Sequence, residues 1–208
     1  MTHSTTWAKK ILKGFIVALF WVAVWEAAAL AVNKEVLVAD PVTVAKRLIE
    51  LGATSDFWIA TGYSVVRILF GFFTAVIAGA VVACVTARLE LINSLFAPLA
   101  AVIKATPVAS FIILALVWLD NGNIPSFTSF LMVFPIVWGN VHQGIAQVDR
   151  GFKEVARVYE MPLGKRLSKL YIPSVLPYFS SAIITGLGLA WKAGIAAEVL
   201  CTPKKLHR

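Results

Sequence analysis

The chain has 208 residues, of which 59% are hydrophobic and 14% charged, and its formal net charge is +8. Soluble domains average about 45–50% apolar and about 25% charged residues, so this chain has too few polar side chains to cover a surface that faces water. The composition predicts an integral membrane protein. It excludes intrinsic disorder, a secreted disulfide scaffold and a nucleic-acid binder. A basic excess on such a chain is typical of residues that set membrane orientation and contact anionic membrane lipid.

Uncharged stretches predict about five membrane-spanning helices, because one crossing needs about 20 apolar residues. The first stretch is too long for the apolar core of a secretory signal, about 7–15 residues, and is interpreted as a retained span. The predicted spans cover residues 11–32, 66–87, 99–119, 124–141 and 172–194. The predicted fold class is therefore all-α: a polytopic integral membrane helical bundle that forms a single transmembrane domain over residues 1–208.

The distribution of Lys and Arg predicts the orientation of these spans. Ten of the 19 basic residues lie in three places: three at the N-terminus, Arg88 itself, and six between residues 142 and 170. Alternating spans place all three on one side of the membrane. The positive-inside rule makes that side cytoplasmic, including the N-terminus. The stretch between residues 33 and 58 is then external, and Asp40 followed by Pro41 predicts the start of a short helix that runs to Glu50.

The C-terminal end does not fit this pattern. With five spans and a cytoplasmic N-terminus, residues 202–208 lie outside although they carry three Lys and Arg. We therefore expect either an incomplete last crossing or a sixth helix that is missing from this chain through truncation or a frameshift.

Three residues in or just after the predicted last span are candidates for a transport pathway or gate. Lys192 and Glu198 are ionisable groups within an apolar stretch, where such groups are functional candidates by default. They are six residues apart, which puts them about 240° apart around a helix and excludes a simple same-face pair. Gly194 between them is expected to allow a break. The paired glycines Gly71 with Gly79 and Gly186 with Gly188 are instead interpreted as packing positions.

The polar segment 142–171 carries the most specific pattern. Connections in helical bundles usually have about 2–8 residues, so about thirty residues call for a functional explanation. The segment resembles the cytoplasmic EAA loop of ABC importer permeases, in which a Glu-Ala-Ala triplet and a Gly precede a Leu-Pro. The matching positions are Glu154, Val155 and Ala156 for the triplet, followed by Arg157, Glu160 for the Gly, and Ile172 with Pro173 for the Leu-Pro. Pro162 and Gly164 offer another way to break the helix after the triplet.

Three further stretches resemble one branch of these permeases, the branch that imports nitrate, sulfonates such as taurine, bicarbonate and thiamine pyrimidine precursors. They are Ser64–Phe72, Pro98–Ala109 and Ala190–Glu198. The resemblance implies a type I ABC importer permease fold whose final helix is absent here. It also implies two ABC ATPase subunits docked on the loop, a second permease copy that forms a homodimer with this one, and an external solute-binding protein.

The resemblance implies a transport subunit of the bacterial inner membrane with no ATPase site of its own. Because the sequence has no Gly-x-x-x-x-Gly-Lys-Ser/Thr phosphate loop, ATP would be bound by the partner subunits. No cofactor and no His-Glu-x-x-His metal spacing is expected in this chain. The alternative is a self-contained ion-coupled carrier or channel that uses Glu26, Lys192 and Glu198, which leaves the long cytoplasmic segment unexplained.

Overall fold

The computed structural model describes residues 3–32 and 38–201, with side chains from residue 10 onward in these ranges. This part of the chain is helical and contains no strand, which confirms the all-α fold class. The helices are α1 (His3–Val32), α2 (Pro41–Gly52), α3 (Ser55–Thr86), α4 (Glu90–Ala105), α5 (Val108–Trp118), α6 (Ile124–Ala146), α7 (Arg150–Val158), α8 (Leu163–Arg166) and α9 (Ile172–Cys201). A π-helical turn, Leu167–Tyr171, joins α8 to α9. Residues 202–208, whose external position was expected, lie outside the described residues.

Among the residues that the structure describes, four helical stretches are long and apolar enough to cross a membrane: Lys10–Val32, Ser55–Thr86, Ile124–Ala146 and Leu163–Cys201. If α4 and α5 are counted as one broken span, the number of crossings is five; the bend between the two helices is 104°. The predicted span over residues 99–119 is thus occupied by two helices. The reason is the sequence Thr106-Pro107, because Pro disfavours helical conformation in the residue before it. Thr106 is extended, with ψ 133°, and Pro107 has ψ 136°.

The chain divides into two compact units, residues 1–60 and residues 61–208. In the first unit, α2 begins as Asp40 and Pro41 predict. The Asp40 carboxylate accepts a 2.9 Å hydrogen bond from the Thr43 amide, and Pro41 occupies the start of the helix, where its missing N–H costs least. The hydrogen bonds from Thr43 hold the pKa of Asp40 below its usual value.

In the second unit, α6 and α9 form an extensive helix pair, and α3 packs on them through a shared core. Small residues allow the close approach: Gly71 and Gly79 of α3 lie against the α6 backbone, and Gly186 lies against Val133. These three packing positions agree with the interpretation of the sequence. Gly188 does not, because a side chain there would meet nothing within 4 Å.

Hydrogen bonds between helices satisfy buried polar groups in this core. The Trp138 indole donates to the Thr86 hydroxyl at 2.9 Å, and the Ser129 hydroxyl donates to the Ala190 carbonyl at 3.0 Å. An unsatisfied polar group in such surroundings would be costly, so each bond fixes the depth of one helix relative to another. Ser129 in particular sets the register between α6 and α9.

Candidate functional site

The segment 142–171, predicted as a polar loop, is largely helical. Helix α6 continues to Ala146, and only three residues separate it from α7. Asp149 caps α7, since its carboxylate accepts hydrogen bonds from the amides of Gly151 at 2.7 Å and Phe152 at 3.2 Å. An acidic cap satisfies amides that have no partner within the helix, which makes a helix of nine residues viable.

The end of α7 is a Schellman motif. The Met161 amide bonds to the Ala156 carbonyl at 2.9 Å, and the Glu160 amide bonds to the Arg157 carbonyl at 3.1 Å. This motif needs a left-handed residue at its second-last position, usually glycine. Glu160 occupies that position with φ 45°. The turn expected of a glycine therefore forms with glutamate, and it forms at Glu160 rather than at Gly164, which lies inside α8.

Replacing Glu160 with glycine is expected to stabilise α7. An L-residue in the left-handed region costs roughly 1–2 kcal/mol of conformational free energy, which glycine avoids. Glycine also raises the conformational entropy of the unfolded chain, which offsets part of this benefit, so the net stabilisation is about 0.5–1 kcal/mol. Amide hydrogen exchange of residues 150–158 should slow by about two- to fivefold in Glu160→Gly. Glu160→Ala removes the same carboxylate but keeps a Cβ, and should give no slowing. Equal slowing in both variants would attribute the effect to charge instead of backbone conformation.

A small apolar cluster attaches α7 to the base of α9. Its buried members, here called the anchor cluster, are Val148, Ala156 and Leu170, with Met161 and Tyr171 packed around them. Ala156 is only 2% exposed. Its small side chain thus allows α7 to pack closely against Leu170 in the π-helical turn that precedes α9.

Pro173 is the second residue of α9, which fits the span predicted to begin at residue 172, but a π-helical turn leads directly into it. The helical stretch Leu163–Cys201 is continuous, and Pro173 follows its π-helical turn, in which the Ile172 amide bonds to the Leu167 carbonyl. In a regular α-helix the Pro173 ring would collide with the carbonyl four residues earlier, and a wider turn relieves this conflict. The base of α9 is therefore an irregular segment in contact with α7, and Pro173 lines a cavity of about 360 Å³ together with Val155 and Leu170.

The side of α7 away from the anchor cluster is exposed. Glu154, Arg157 and Val158 lie there, and we call them the outward face; Val158 is 78% exposed. Phe152 and Tyr159, at 66% and 78% exposure, are also accessible, but they lie nearer the Ala156 side of α7, where Phe152 lines the 360 Å³ cavity. Charged and large apolar side chains on one short, doubly capped helix make a surface suited to a protein partner.

The structure does not show the break in the last helix that was expected at Gly194, between Lys192 and Glu198. Helix α9 runs without a break from Ile172 to Cys201. Gly194 lies against Ile68 and Ser129, and a Cβ there would collide with the Ile68 side chain. The expected break at Gly194 is therefore wrong, and its role is packing. Lys192 is exposed on the opposite side of α9, whereas Glu198 is half-buried, so the structure does not bring the two together at one face.

Comparison with known proteins identifies the family. Residues 68–207 match the family described as binding-protein-dependent transport system inner membrane component. The chain belongs to this family. The matched range includes α7, the anchor cluster and α9. The family match therefore covers segment 142–171, which resembles the EAA loop.

Curated relatives of this family are permease proteins. The bicarbonate transport system permease protein CmpB of Synechococcus elongatus is 32% identical over 146 residues, which cover 69% of this chain and 52% of the relative. The nitrate import permease protein NrtB of the same organism is 30% identical over 66% of this chain and 50% of its own length. The putative aliphatic sulfonates transport permease protein SsuC of Bacillus subtilis is 24% identical over 91% of this chain and 69% of its own length. The chain spans about half the length of the first two relatives.

Proposed function

We propose that the chain acts as the membrane-spanning permease subunit of an ATP-driven, binding-protein-dependent importer in a bacterial inner membrane. Family membership and the transport functions for which the relatives are named support this proposal. The solute belongs to the nitrate, sulfonate, bicarbonate or thiamine-pyrimidine-precursor class. An external binding protein delivers it, and a second permease copy completes the pathway, with Lys192 on the free side of α9 as a candidate lining residue.

The single observation that carries the mechanism is that α7 is exposed on one side and anchored to α9 on the other. In the proposed orientation the N-terminus and α7 are cytoplasmic. An ABC ATPase subunit binds the outward face of α7, and no ATP site is needed in this chain. When the ATPase subunits close on ATP, α7 moves with them, and Ala156 against Leu170 passes the displacement to the base of α9.

Glu154→Arg tests the docking surface. Glu154 is exposed on the outward face, so the substitution reverses a charge without disturbing the packing of α7. Like charges placed across an interface oppose binding by several kcal/mol. We expect ATP-dependent solute uptake in proteoliposomes containing the complete importer to fall at least tenfold, with unchanged membrane insertion and less ATPase subunit retained in detergent.

Glu50→Arg is the control for charge reversal: Glu50 is also exposed on a short helix, but it lies on α2, where its exposed 2.9 Å ion pair with Arg47 contributes little to stability. It should leave uptake and ATPase retention unchanged. Normal uptake by Glu154→Arg would refute the role of α7. Uptake that follows an ion gradient and ignores ATP would favour the ion-coupled carrier with Glu26, Lys192 and Glu198.

A further inference from the structure

A second cavity, of about 1060 Å³, lies beside α7 and is separate from the outward face. Its walls come from the last turns of α6, the first turns of α9, the α3–α4 connection and the α7–α8 segment. Gly144 of α6 faces Tyr178 of α9, with 3.1 Å from a Cβ position on Gly144 to the Tyr178 ring. The cavity therefore lies at the end of the bundle from which α7 emerges.

Three cations from three different segments line this cavity. They are Arg88 after α3, Lys153 on α7 and Arg166 on α8. Within the described residues, none of them forms an ion pair with a carboxylate. Glu90 is the single described carboxylate in the lining, so the charge of the lining is positive.

Arg166 is the most constrained of these cations. Its Nη2 donates to the Met161 carbonyl at the long distance of 3.5 Å, and its enclosed Nε has no acceptor among the described residues. Partial burial of the Arg166 guanidinium costs desolvation free energy, which one long hydrogen bond offsets only weakly. An anion bound beside the guanidinium would lower that cost.

Most of the side chains that the membrane-spanning helices α6 and α9 contribute are apolar, with His142 as the exception, and Thr86, Asn93 and Tyr171 add polar groups elsewhere in the lining. Val141 and Ile145 come from α6, and Val175, Leu176 and Phe179 come from α9. The cavity thus changes from cationic at the level of α7 and α8 to apolar at the level of the spans. A phospholipid has this same polarity, with an anionic phosphate at one end and acyl chains at the other.

We infer that this cavity binds one anionic phospholipid, whose phosphate contacts Arg88, Lys153 and Arg166 and whose acyl chains lie against α6 and α9. Basic pockets between membrane helices are known to hold anionic headgroups. A small hydrophilic anion would leave the apolar walls without a contact, and a neutral lipid would leave the cations uncompensated. The inference does not depend on the proposed transport function, since it concerns the chain and its bilayer.

The test uses the purified full chain in a neutral detergent with either phosphatidylglycerol or phosphatidylcholine added. Phosphatidylglycerol at saturation should raise the midpoint of thermal unfolding by about 5 °C relative to phosphatidylcholine. Native mass spectrometry should find one retained phosphatidylglycerol. Arg166→Gln should weaken this binding about tenfold, and the combination of Arg88→Gln, Lys153→Gln and Arg166→Gln should abolish it.

The control removes three exposed cations from the same region that do not line the cavity: Arg150→Gln, Lys165→Gln and Lys169→Gln. It carries the same change of net charge and should keep the phosphatidylglycerol effect. Loss in both triple variants would reduce the effect to unspecific charge attraction and overturn the inference. Equal stabilisation by inorganic phosphate alone would also overturn it, because the site would then bind an ion. Unchanged midpoints of the variants in phosphatidylcholine show that each remains folded.

Discussion

Gly71→Ala is expected to lower the free energy of unfolding by about 3 kcal/mol, the upper end of the usual cost of overpacking. A Cβ at position 71 would collide with the Ser126 carbonyl oxygen and would lie 3.0 Å from the Ser129 Cβ. The first contact is backbone and cannot rotate away. The α3 and α6 helices must therefore separate, which also strains the hydrogen bond that Ser126 donates to the Arg67 carbonyl at 2.9 Å.

Gly62→Ala gives a control within the same helix. Gly62 also lies in α3, but a Cβ there meets nothing within 4 Å, so its unfolding free energy should stay the same or rise slightly. Both values can be measured by titrating the reconstituted chain with a denaturing detergent and following tryptophan fluorescence. A cost at Gly71 no larger than at Gly62 would mean that α3 and α6 are not held as closely as the structure shows.

Hydropathy locates most of the helices because a bilayer imposes one simple requirement, a long uncharged stretch. Hydropathy does not predict where a helix bends. The span predicted over residues 99–119 contains Pro107, yet a count of charges treats proline like any apolar residue, so the 104° bend between α4 and α5 went unpredicted. The backbone rule for residues that precede proline is the signal that predicts it.

The candidate site was located by pattern, whereas its internal roles depend on tertiary contacts. Ala156 lies in the expected triplet, but its packing against Leu170 joins residues 14 positions apart and cannot be read from one segment. Glu160 adopts φ 45° because Met161 packs beside Ala156 and holds the turn closed. Gly194 lacks a Cβ, as expected at a break, and only the position of Ile68 shows that this absence serves packing.

Ala156→Asp is expected to detach α7 and abolish ATP-dependent uptake. The substitution places a carboxylate inside the anchor cluster, where Val148 and Leu170 offer it no hydrogen bond, and such burial costs several kcal/mol. The cheaper response is for α7 to leave the base of α9. Amide exchange of residues 150–158 should then accelerate by at least a hundredfold, while the α3–α6–α9 core keeps its protection because its cluster is separate.

Val158→Asp separates anchoring from docking. It introduces the same carboxylate on the same helix, but at a side chain that is 78% exposed, so exchange in α7 should not accelerate. Uptake in both variants is measured with the complete importer in proteoliposomes. If Ala156→Asp abolished uptake while α7 kept its protection, Ala156 would act through the partner and not through α9. Because the helix cannot transmit movement once it is detached, loss of protection and loss of uptake must appear together if the anchor cluster is the link.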